Sequence, residues 1–454
     1  MSQLPTPVLD ALTAIVGAEY VVTGAAACRQ GSGDCYWYSP VLKPLLENKA
    51  ADVIVHPGTV DELIAVVALA ARERVPLILR GAGTGNYGQG VPMQGGILLN
   101  TKRLDRILEL TPAAAKVETG ILLKTVEQQA RAIGAELRFF PSTLLTATAG
   151  GFLAGGSGGV GSITWGTLWD PGNVLGATVV TVEAQPQVIQ VSDYQALQGV
   201  IHNCGLTCVI VDLTLALAPA QPWEQYALAF ADIEAALRFA QALAYDEHVP
   251  KRLITALEWP LPSYFPLLVR AGASVEGKAQ LLLQVVLDPA AMRARAEAAG
   301  GAVTWHGPHA DYLRRGLWLV DYTWNHTTLW AMKADPTLTY LQDAFDPERL
   351  FEQVRLRKAR YGAGVLEHVE FMQARGRIVP QGLSVVRHHS KAQLWELIAY
   401  CEEIGMRIAN PHTHYLDEDS RWNGQPILDA KAAWDPHNLL NPGHLRAQEK
   451  MDTP

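Results

Sequence analysis

The spacing of apolar and polar positions in the first half of the chain predicts alternating helices and strands. Thr59 and Glu62 have the spacing of a capping box, which predicts that a helix begins there. The apolar residues that follow recur with helical periodicity at Leu63, Val66, Val67 and Ala70. We expect this helix to end near Arg74 and a short buried strand, residues 77–79, to follow it.

Other segments continue the same alternation towards the C-terminus. Apolar or alternating runs predict strands at 97–99, 115–118, 177–182, 209–217 and 281–287. Helical patterns occupy residues 122–133, where Gly134 ends the helix, and residues 394–401. The mixture of helices and strands predicts an α+β fold. The sequence composition changes near residue 221, where strand-like and helical segments become rich in tryptophan.

Two glycine-rich stretches follow strongly apolar runs in this pattern. The first covers residues 80–88 and reads RGAGTGNYG, and the second covers residues 148–159 and reads TAGGFLAGGSGG. Glycine lets backbone N–H groups approach an anion closely and adopts the positive φ angles that an anion-binding turn needs. Two such stretches about sixty residues apart indicate one large phosphate-bearing cofactor held from two sides.

A nicotinamide site of the Rossmann type is the obvious alternative for the first stretch. Gly83, Gly85 and Gly88 fit the G-x-G-x-x-G spacing after a strand. In a Rossmann unit these glycines open a helix, but residues 89–96 contain one proline and three glycines. Such a segment cannot form that helix, so the sequence disfavours a Rossmann domain.

Composition narrows the class of protein further. With 454 residues, 49% of them apolar, the chain is too long for one core and predicts two or three domains. The net charge is −8 and no basic run stands out, so we expect no nucleic-acid partner. We find no apolar run of eighteen residues and no charged leader, so we expect no membrane span and a cytoplasmic location. The five cysteines lack the spacing of zinc or iron–sulfur sites.

The first stretch resembles the phosphate loop of flavoproteins typified by vanillyl-alcohol oxidase and p-cresol methylhydroxylase (PCMH), with Ala82 in place of a usual glycine. The second resembles T-I-G-G-N-x-A-T-N-A-G-G, the loop common in glycolate oxidase and D-lactate dehydrogenase flavin subunits. It is identical in type at Thr148, Gly150, Gly151, Ala154, Gly158 and Gly159. Near the C-terminus, residues 435–443 resemble the family's D-P-x-x-x-L-N-P-G ending.

This resemblance implies a two-subdomain PCMH-type FAD-binding domain, an α+β cap that forms the substrate pocket, and a C-terminal segment that returns to the FAD domain. The expected division is a lead-in at 1–44, the FAD domain at 45–220, the cap at 221–430 and the returning segment at 431–454. The implied cofactor contacts in the first loop are Arg80, Gly81, Ala82, Gly83, Thr84, Gly85 and Asn86. Those in the second region are Pro141, Ser142, Thr143, Thr148, Gly150, Gly151, Ala154, Gly155, Gly158 and Gly166. Val209, Ile210 and Asn441 complete the set.

The resemblance also predicts how FAD is held. Members that bind FAD covalently often place a histidine in the first loop, and some place a cysteine shortly before the second. This chain has Thr84 in the first position and residues 144–146, Leu-Leu-Thr, before the second loop. We therefore expect non-covalent FAD, unless a histidine of the cap forms the bond.

The sequence offers four candidates for catalytic roles. His412 and His414 lie in a Pro-His-Thr-His-Tyr segment, which resembles the P-H-W-G-K element of aldonolactone oxidoreductases at its first two residues. If that segment is a strand, the two imidazoles point to one face, and with Glu370 they could bind zinc or manganese. We favour hydrogen bonding in the active site and predict no metal.

Tyr322 and Glu370 are the other two candidates. Tyr322 and His326 are four residues apart, which places them on one face if the segment is helical, although an aromatic cap core is the alternative. Glu370 on a strand-like segment could act as an acid or base. An anionic substrate would need an arginine, and the candidates are Arg314, Arg315, Arg355, Arg357 and Arg387.

The expected function is FAD-dependent oxidation of a hydroxyl-bearing small molecule, most nearly a 2-hydroxy acid, with hydride transfer to flavin N5. The metal-binding G-H-x-G-D-G-N stretch typical of 2-hydroxy-acid dehydrogenases is missing. Two alternatives therefore stay open. One is an aldonolactone, polyol or sterol-type C=C redox enzyme, and the other is a flavin subunit that passes electrons to a partner. The electron acceptor, oxygen, a quinone or a protein, is not set by the sequence.

Overall fold

Strands of the protein form three large sheets and one small one within residues 4–309, 316–418 and 424–446, the part of the chain that the computed structural model describes. The first sheet contains β1 (Val21–Val22), β2 (Val53–Val55), β3 (Leu77–Arg80) and β4 (Ile97–Asn100) in the order β1-β2-β4-β3. Strands β2, β4 and β3 are parallel. The helices around it are α1 (Thr6–Val16), α2 (Ala25–Ser32), α3 (Lys43–Leu46) and α4 (Val60–Arg72).

Local chemistry explains the boundaries of α4. The Thr59 hydroxyl accepts a hydrogen bond from the Glu62 amide at 3.1 Å, and the Glu62 carboxylate accepts one from the Gly58 amide at 2.7 Å. Such a cap contributes about 1 kcal/mol to helix stability. The predicted apolar residues of this helix are all buried, so its existence and its orientation agree with the sequence pattern.

The second sheet is antiparallel. It contains β5 (Ile107–Leu110), β6 (Ala114–Glu118), β7 (Ala135–Leu137), β8 (Val174–Val180), β9 (Val188–Val191) and β10 (Val209–Pro219). The order is β5-β6-β10-β8-β9, and β7 also pairs with β10. Its helices are α5 (Leu123–Ala132), α6 (Ala149–Gly155), α7 (Ser162–Trp165) and α8 (Tyr194–Leu197). The long strand β10 therefore connects most of this layer.

The cap strands come later in the chain. They are β11 (Glu224–Phe230), β12 (Lys251–Leu257), β13 (Ala279–Val285), β14 (Ala302–Pro308), β15 (Leu338–Tyr340), β16 (Gln342–Ala344), β17 (Val365–Leu366), β18 (His368–Ala374), β19 (Arg377–Gly382), β20 (Val385–Arg387) and β21 (Arg407–Ala409). The large cap sheet has the order β14-β11-β13-β12-β18-β19-β16-β21, and β15, β20 and β17 form the small sheet.

Helices pack against both faces of the large cap sheet and bury its core. They include α9 (Ile233–Tyr245), α10 (Pro266–Arg270), α11 (Pro289–Ala298), α12 (Asn325–Ala334), α13 (Leu350–Tyr361) and α14 (Lys391–Glu403), and α15 (Gly424–Trp434) follows. Leucine and phenylalanine side chains of α9, α13 and α14 pack with the inward residues of β11, β12 and β13. The other face of β18, β19, β16 and β21 is left for the site described below.

The C-terminal segment returns to the first sheet, as the fold prediction requires. The Leu77 amide donates to the Leu439 carbonyl at 2.7 Å, and the Asn441 amide donates to the Leu77 carbonyl at 2.8 Å. The buried Asp435 carboxylate accepts hydrogen bonds from the amides of Leu439 and Leu440 and from Lys431 Nζ. This segment is thereby fixed beside β3, the strand that leads into the first glycine-rich loop.

Candidate active site

A cavity of about 1150 Å³ lies between the two glycine-rich stretches and the free face of the cap sheet. Both stretches contribute to its wall, as do parts of β10, α12 and four cap strands. The residues implied as cofactor contacts that line it are Arg80, Gly81, Ala82, Gly83, Thr84, Gly85, Asn86, Pro141, Ser142, Thr143, Thr148, Gly150, Gly151, Ala154, Gly155, Gly158 and Ile210. The structure therefore brings most of the set together at one site.

The first loop, residues 81–88, runs without a helix from the end of β3. Gly83 and Gly88 have φ angles of 71° and 70°, which side chains rarely adopt. Arg80, at the end of β3, donates to the carbonyls of Ser32 at 2.7 Å and Gly90 at 2.6 Å. The Arg80 guanidinium therefore connects the end of the loop, at Gly90, to the N-terminal segment, at Ser32.

Asp34 lies under the same loop and also lines the cavity. Its carboxylate accepts a hydrogen bond from the Tyr36 amide at 2.8 Å. Burial raises the pKa of Asp34 to about 6, although the Arg80 charge acts in the opposite direction. The N-terminal segment therefore contributes a charged group to the floor of the site, which the sequence analysis did not identify.

The second stretch is partly helical, which differs from the loop that its glycines predict. Residues 149–155 form α6, and the Thr148 hydroxyl caps it by accepting from the Gly151 amide at 3.2 Å. A side chain at Gly81 would overlap the Thr148 hydroxyl, and one at Gly150 would overlap Thr119. The two stretches are thus in contact, and glycine is required where they meet.

Three residues implied as cofactor contacts do not line the cavity. Gly166 has a φ of 78° and closes the turn after α7, and Val209 packs in the core of the first sheet. The Asn441 side chain donates to the carbonyls of Gln89 at 2.6 Å and Cys204 at 2.9 Å. Asn441 therefore supports two wall segments from behind, which only the three-dimensional structure could show.

A buried polar atom provides a test of whether this site fits FAD. The Asn86 side chain is 4% exposed and lines the cavity, and its amide nitrogen has no hydrogen-bond partner. Leaving a buried donor unpaired costs about 1–3 kcal/mol, so such an atom indicates a missing acceptor. The unpaired Asn86 amide and the space that the absence of side chains leaves at Gly81 and Gly150 fit a large cofactor rich in oxygen and nitrogen acceptors.

The cap contributes the opposite wall through one face of its sheet. Glu370, Gln381, Ala344 and Arg407 are paired in register across β18, β19, β16 and β21, so their side chains share a face. Residues two apart along these strands continue this face, which we call the cavity face. Those that line the cavity are Met372, Ala374, Arg377, Val379, Gln381, Leu383, Gln342, Ala344, Arg407 and Ala409.

His412 and His414 do not line this cavity. They follow β21 in a turn and irregular chain rather than a strand, so the expected common face does not exist. His412 is buried, its Nε2–H donates to the Tyr340 carbonyl at 3.0 Å, and its Nδ1 accepts from the Ser39 hydroxyl at 2.8 Å. Burial lowers the pKa of His412 to about 4, which keeps the ring neutral. Its contacts are those of a structural imidazole.

Tyr322 and Glu370 do not line the cavity either, although Glu370 lies on the cavity face of its strand. Tyr322 ends a 3₁₀ turn, Leu319–Tyr322, and is separated from α12, so it shares no helical face with His326. Its ring stacks on Phe265 in the cap core. Glu370 is 1% exposed and its carboxylate is occupied by neighbouring donors. Neither side chain reaches the cavity, because packing and hydrogen bonding hold both within the cap.

Other polar and aromatic side chains line the cavity instead. Trp324, Asn325 and His326 line it where α12 begins, and so do Arg375, Arg377 and Arg407. Of the five arginines proposed from sequence, Arg355, Arg357 and Arg387 pair with carboxylates elsewhere. Arg314 and Arg315 lie outside the described residues. The alternation of Arg377, Val379 and Gln381 was the one signal that could have indicated the cavity face.

Together, the fold and the site are those of an FAD-binding protein with a cap over the cofactor cavity. Residues 51–190 match the family model described as an FAD binding domain. Over 432 residues, 88% of this chain and 89% of the other, the chain is 23% identical to the glycolate oxidase subunit GlcD of Bacillus subtilis. It is 30% identical to the D-lactate dehydrogenase of Archaeoglobus fulgidus over 187 residues, 39% of this chain and 41% of that protein.

A solved structure of alkyldihydroxyacetonephosphate synthase has the same fold. The TM-score is 0.73 at 14% identity, and the match covers 97% of this chain and 85% of the other. These findings confirm the FAD cofactor and the flavin-linked oxidoreductase class. None of the helices within the described residues is long and apolar enough to cross a membrane.

Proposed function

We propose that this protein oxidises the hydroxyl group of a small acid, most nearly a 2-hydroxy acid, in an FAD-dependent reaction. The names of two relatives, a glycolate oxidase subunit and a D-lactate dehydrogenase, both describe 2-hydroxy-acid substrates. One observation on this chain carries the proposal: Arg377 and Arg407 lie on the cavity face, with Arg375 at the adjacent hairpin turn. A cationic wall next to a flavin site favours a substrate with a carboxylate.

Most other described cap arginines pair with carboxylates, and Arg270 and Arg293 are the exceptions. All three cavity arginines are exposed, and no ion pair between described residues uses their guanidinium groups. The centre of the cavity face is apolar at Met372, Val379 and Leu383, with amides at Gln342 and Gln381. Such a surface would orient a small acid. The arginines would attract the carboxylate of the acid, while its carbon skeleton would contact the apolar centre.

Bound FAD would supply the two-electron acceptor, and this chain's residues would hold it and exclude water from it. Gly81 and Gly83 are proposed to face its diphosphate, and Asn86 would donate to one of its acceptors. Ile210 of β10 and the cavity face would enclose the substrate between FAD and the cap.

Anaerobic reduction tests the substrate class. The purified protein is mixed without oxygen with glycolate, D-lactate, L-lactate and D-2-hydroxyglutarate, and separately with glycerol and an aldonolactone, while flavin absorbance is recorded. We expect bleaching by at least one hydroxy acid and not by the neutral compounds. Bleaching by a neutral compound alone would favour a lactone or polyol enzyme. No bleaching until a partner protein is added would favour an electron-transferring subunit.

Substitution of the arginines links this reaction to the cavity face. Arg377→Gln and Arg407→Gln are expected to raise KM for the active acid by about three- to tenfold each, because each removes a charge-assisted contact. Arg293→Gln is the control, because Arg293 is an exposed cap arginine that does not line the cavity. Unchanged KM in both variants would remove the arginine argument.

The remaining expectations stand as part of this proposal. Of the boundaries at residues 45, 221 and 431, the one at 221 is supported by the separate sheets on either side of it, whereas β1 pairs with β2 across residue 45 and α15 continues across residue 431. A cytoplasmic location is supported by the five cysteines, none of which forms a disulfide with another described residue. Limited proteolysis and cell fractionation test the two points.

A further inference from the structure

The turn that begins α12 is strained. Trp324 has φ 51° and ψ −140°, a conformation that non-glycine residues rarely adopt. Holding such a residue costs on the order of 1–3 kcal/mol, and it persists only where the surroundings determine it. Trp324 and the two residues after it also line the cavity, so the strain occurs where the substrate is expected.

Glu370 is the group that holds this turn. Its Oε1 accepts a hydrogen bond from the Trp324 amide at 2.6 Å, and Oε2 accepts one from the Thr255 hydroxyl at 2.6 Å. Oε1 also lies 2.9 Å from Nε2 of the buried His368. The carboxylate sits at the N-terminus of α12, where the helix dipole favours negative charge. Every oxygen of Glu370 is therefore used within the cap.

The held turn places His326 at the cavity. Its side chain is 18% exposed, and its Nδ1 lies 3.9 Å from Asp321 Oδ1. Burial, followed by the Lys333 charge, lowers the pKa of His326 to about 4, so its ring is neutral near pH 7. With Nδ1 towards Asp321, Nε2 is the nitrogen left for a ligand. Beside it, buried Asn325 Oδ1 and Trp324 Nε1 have no hydrogen-bond partner.

We propose that His326 Nε2 accepts the hydroxyl proton of the substrate, and that Glu370 is a positioning residue that fixes the Trp324 turn and so places His326. The inference rests on the proposed function, since it assigns residues to that reaction. As the carbinol C–O bond becomes C=O, the C–H bond breaks, and bound FAD would accept the hydride with its two electrons. The hydroxyl O–H bond breaks and its proton goes to Nε2.

Three variants separate these roles. His326→Gln is expected to lower kcat at least 100-fold, the contribution of a general base. Glu370→Ala removes the acceptor of the Trp324 amide and is expected to lower kcat at least tenfold. Glu370→Gln keeps that acceptor oxygen and is expected to retain kcat within about threefold. A 100-fold loss in Glu370→Gln would instead show that the carboxylate itself takes the proton and would overturn the proposal.

Substrate binding gives a readout besides activity. The probe is 2-hydroxyisobutyrate, a 2-hydroxy acid that has no hydrogen on its carbinol carbon and cannot be oxidised. Its dissociation constant is measured from the change in flavin absorbance. We expect it to change less than threefold in His326→Gln, so that kcat falls while binding is kept. Loss of binding equal to the loss of kcat would overturn the assignment of His326 as a base.

The control is His248→Gln, because His248 is an exposed histidine outside the cavity. It should match the wild type in every measurement. If the wild-type flavin is reduced by no acid, the proposed function fails, and the positioning role is still measured by hydrogen exchange. The amides of residues 325–329 should exchange at least tenfold faster in Glu370→Ala, and at the wild-type rate in Glu370→Gln. Equal exchange in all three proteins would overturn the positioning role.

Discussion

Asn86 shows how one buried side chain can indicate a ligand. Its amide nitrogen is sealed from solvent without an acceptor, although the side chain borders a large cavity. The apoprotein bears the cost of desolvating this donor, and the bound cofactor would recover it. FAD affinity and apoprotein stability should therefore respond in opposite ways when the donor is removed.

We predict that Asn86→Ala weakens FAD binding by about three- to tenfold, the loss of one hydrogen bond. The melting temperature of the apoprotein should not fall, because no hydrogen bond of the apoprotein is broken. Quenching of FAD fluorescence and thermal unfolding measure the two effects. Asn100→Ala is the control, since Asn100 does not line the cavity. Wild-type FAD affinity in Asn86→Ala would show that this amide does not contact the cofactor.

Gly81 marks the contact between the two glycine-rich stretches, because a Cβ there would overlap the Thr148 hydroxyl. We predict that Gly81→Ala lowers FAD affinity at least tenfold by separating the stretches. Adding Thr148→Ala should restore part of the affinity, although it removes the cap of α6 at a cost of about 1 kcal/mol. Isothermal titration with FAD measures both.

Gly364→Ala is the matched control for this pair. Gly364 has an ordinary φ and nothing within 4 Å of a built Cβ. An equal loss of affinity in the control, or no recovery in the double variant, would contradict the steric explanation.

Among the elements, the C-terminal segment depends on one carboxylate. Asp435 is buried and connects Lys431 of α15 to the amides that follow the helix. Burial lowers the pKa of Lys431. Because the segment pairs with Leu77, it supports the strand that delivers the first loop.

We predict that Asp435→Ala destabilises the protein by about 3–5 kcal/mol, since it leaves a buried lysine without its partner. FAD release should accelerate as the segment detaches from β3. Urea unfolding and the rate of flavin release measure these effects. Asp429→Ala, on an exposed position of α15, is the control. Equal stability of the two variants would show that the segment is held by other contacts.

At the level of the whole molecule, the question is whether FAD is held without a covalent bond. Cys35, Cys204, His202 and His326 all line the cavity, so the attachment cannot be judged from the first loop alone. Burial raises the pKa of the Cys35 thiol to about 11, which leaves little of the reactive thiolate.

We predict that acid precipitation releases the yellow colour into the supernatant. The apoprotein should then melt roughly 3 °C higher when FAD is added at a hundredfold excess over its dissociation constant, a stabilisation of about 2.7 kcal/mol. Absorbance of the two fractions and a thermal melt measure this. Colour that stays with the pellet would establish a covalent flavin.

Local patterns were sufficient for the elements with strong periodicity or a clear cap. The capping box at Thr59 predicted α4, and the apolar run that begins at Val209 predicted β10. The glycine-rich stretches predicted a flavin site, because close backbone approach is a local property that glycine reveals. The helical state of residues 149–155 was missed, since its glycines disfavour a helix that packing and the Thr148 cap stabilise.

The catalytic side chains were not predictable in the same way. His412 and Glu370 have suitable chemistry, but burial and hydrogen bonds at Ser39, Tyr340 and Trp324 occupy them. His326 reaches the cavity because Trp324 adopts a positive φ, which no helical pattern predicts.

The sequence by itself determined the cofactor class and the strongly periodic helices and strands, because these depend on residues that are neighbours along the chain. Only the tertiary structure decided which polar groups face the flavin cavity. That choice depends on the pairing of β18, β19, β16 and β21 and on a contact between Glu370 and Trp324. Contacts between residues far apart in the chain leave no periodic signal, so the face on which a side chain lies is set by the folded protein.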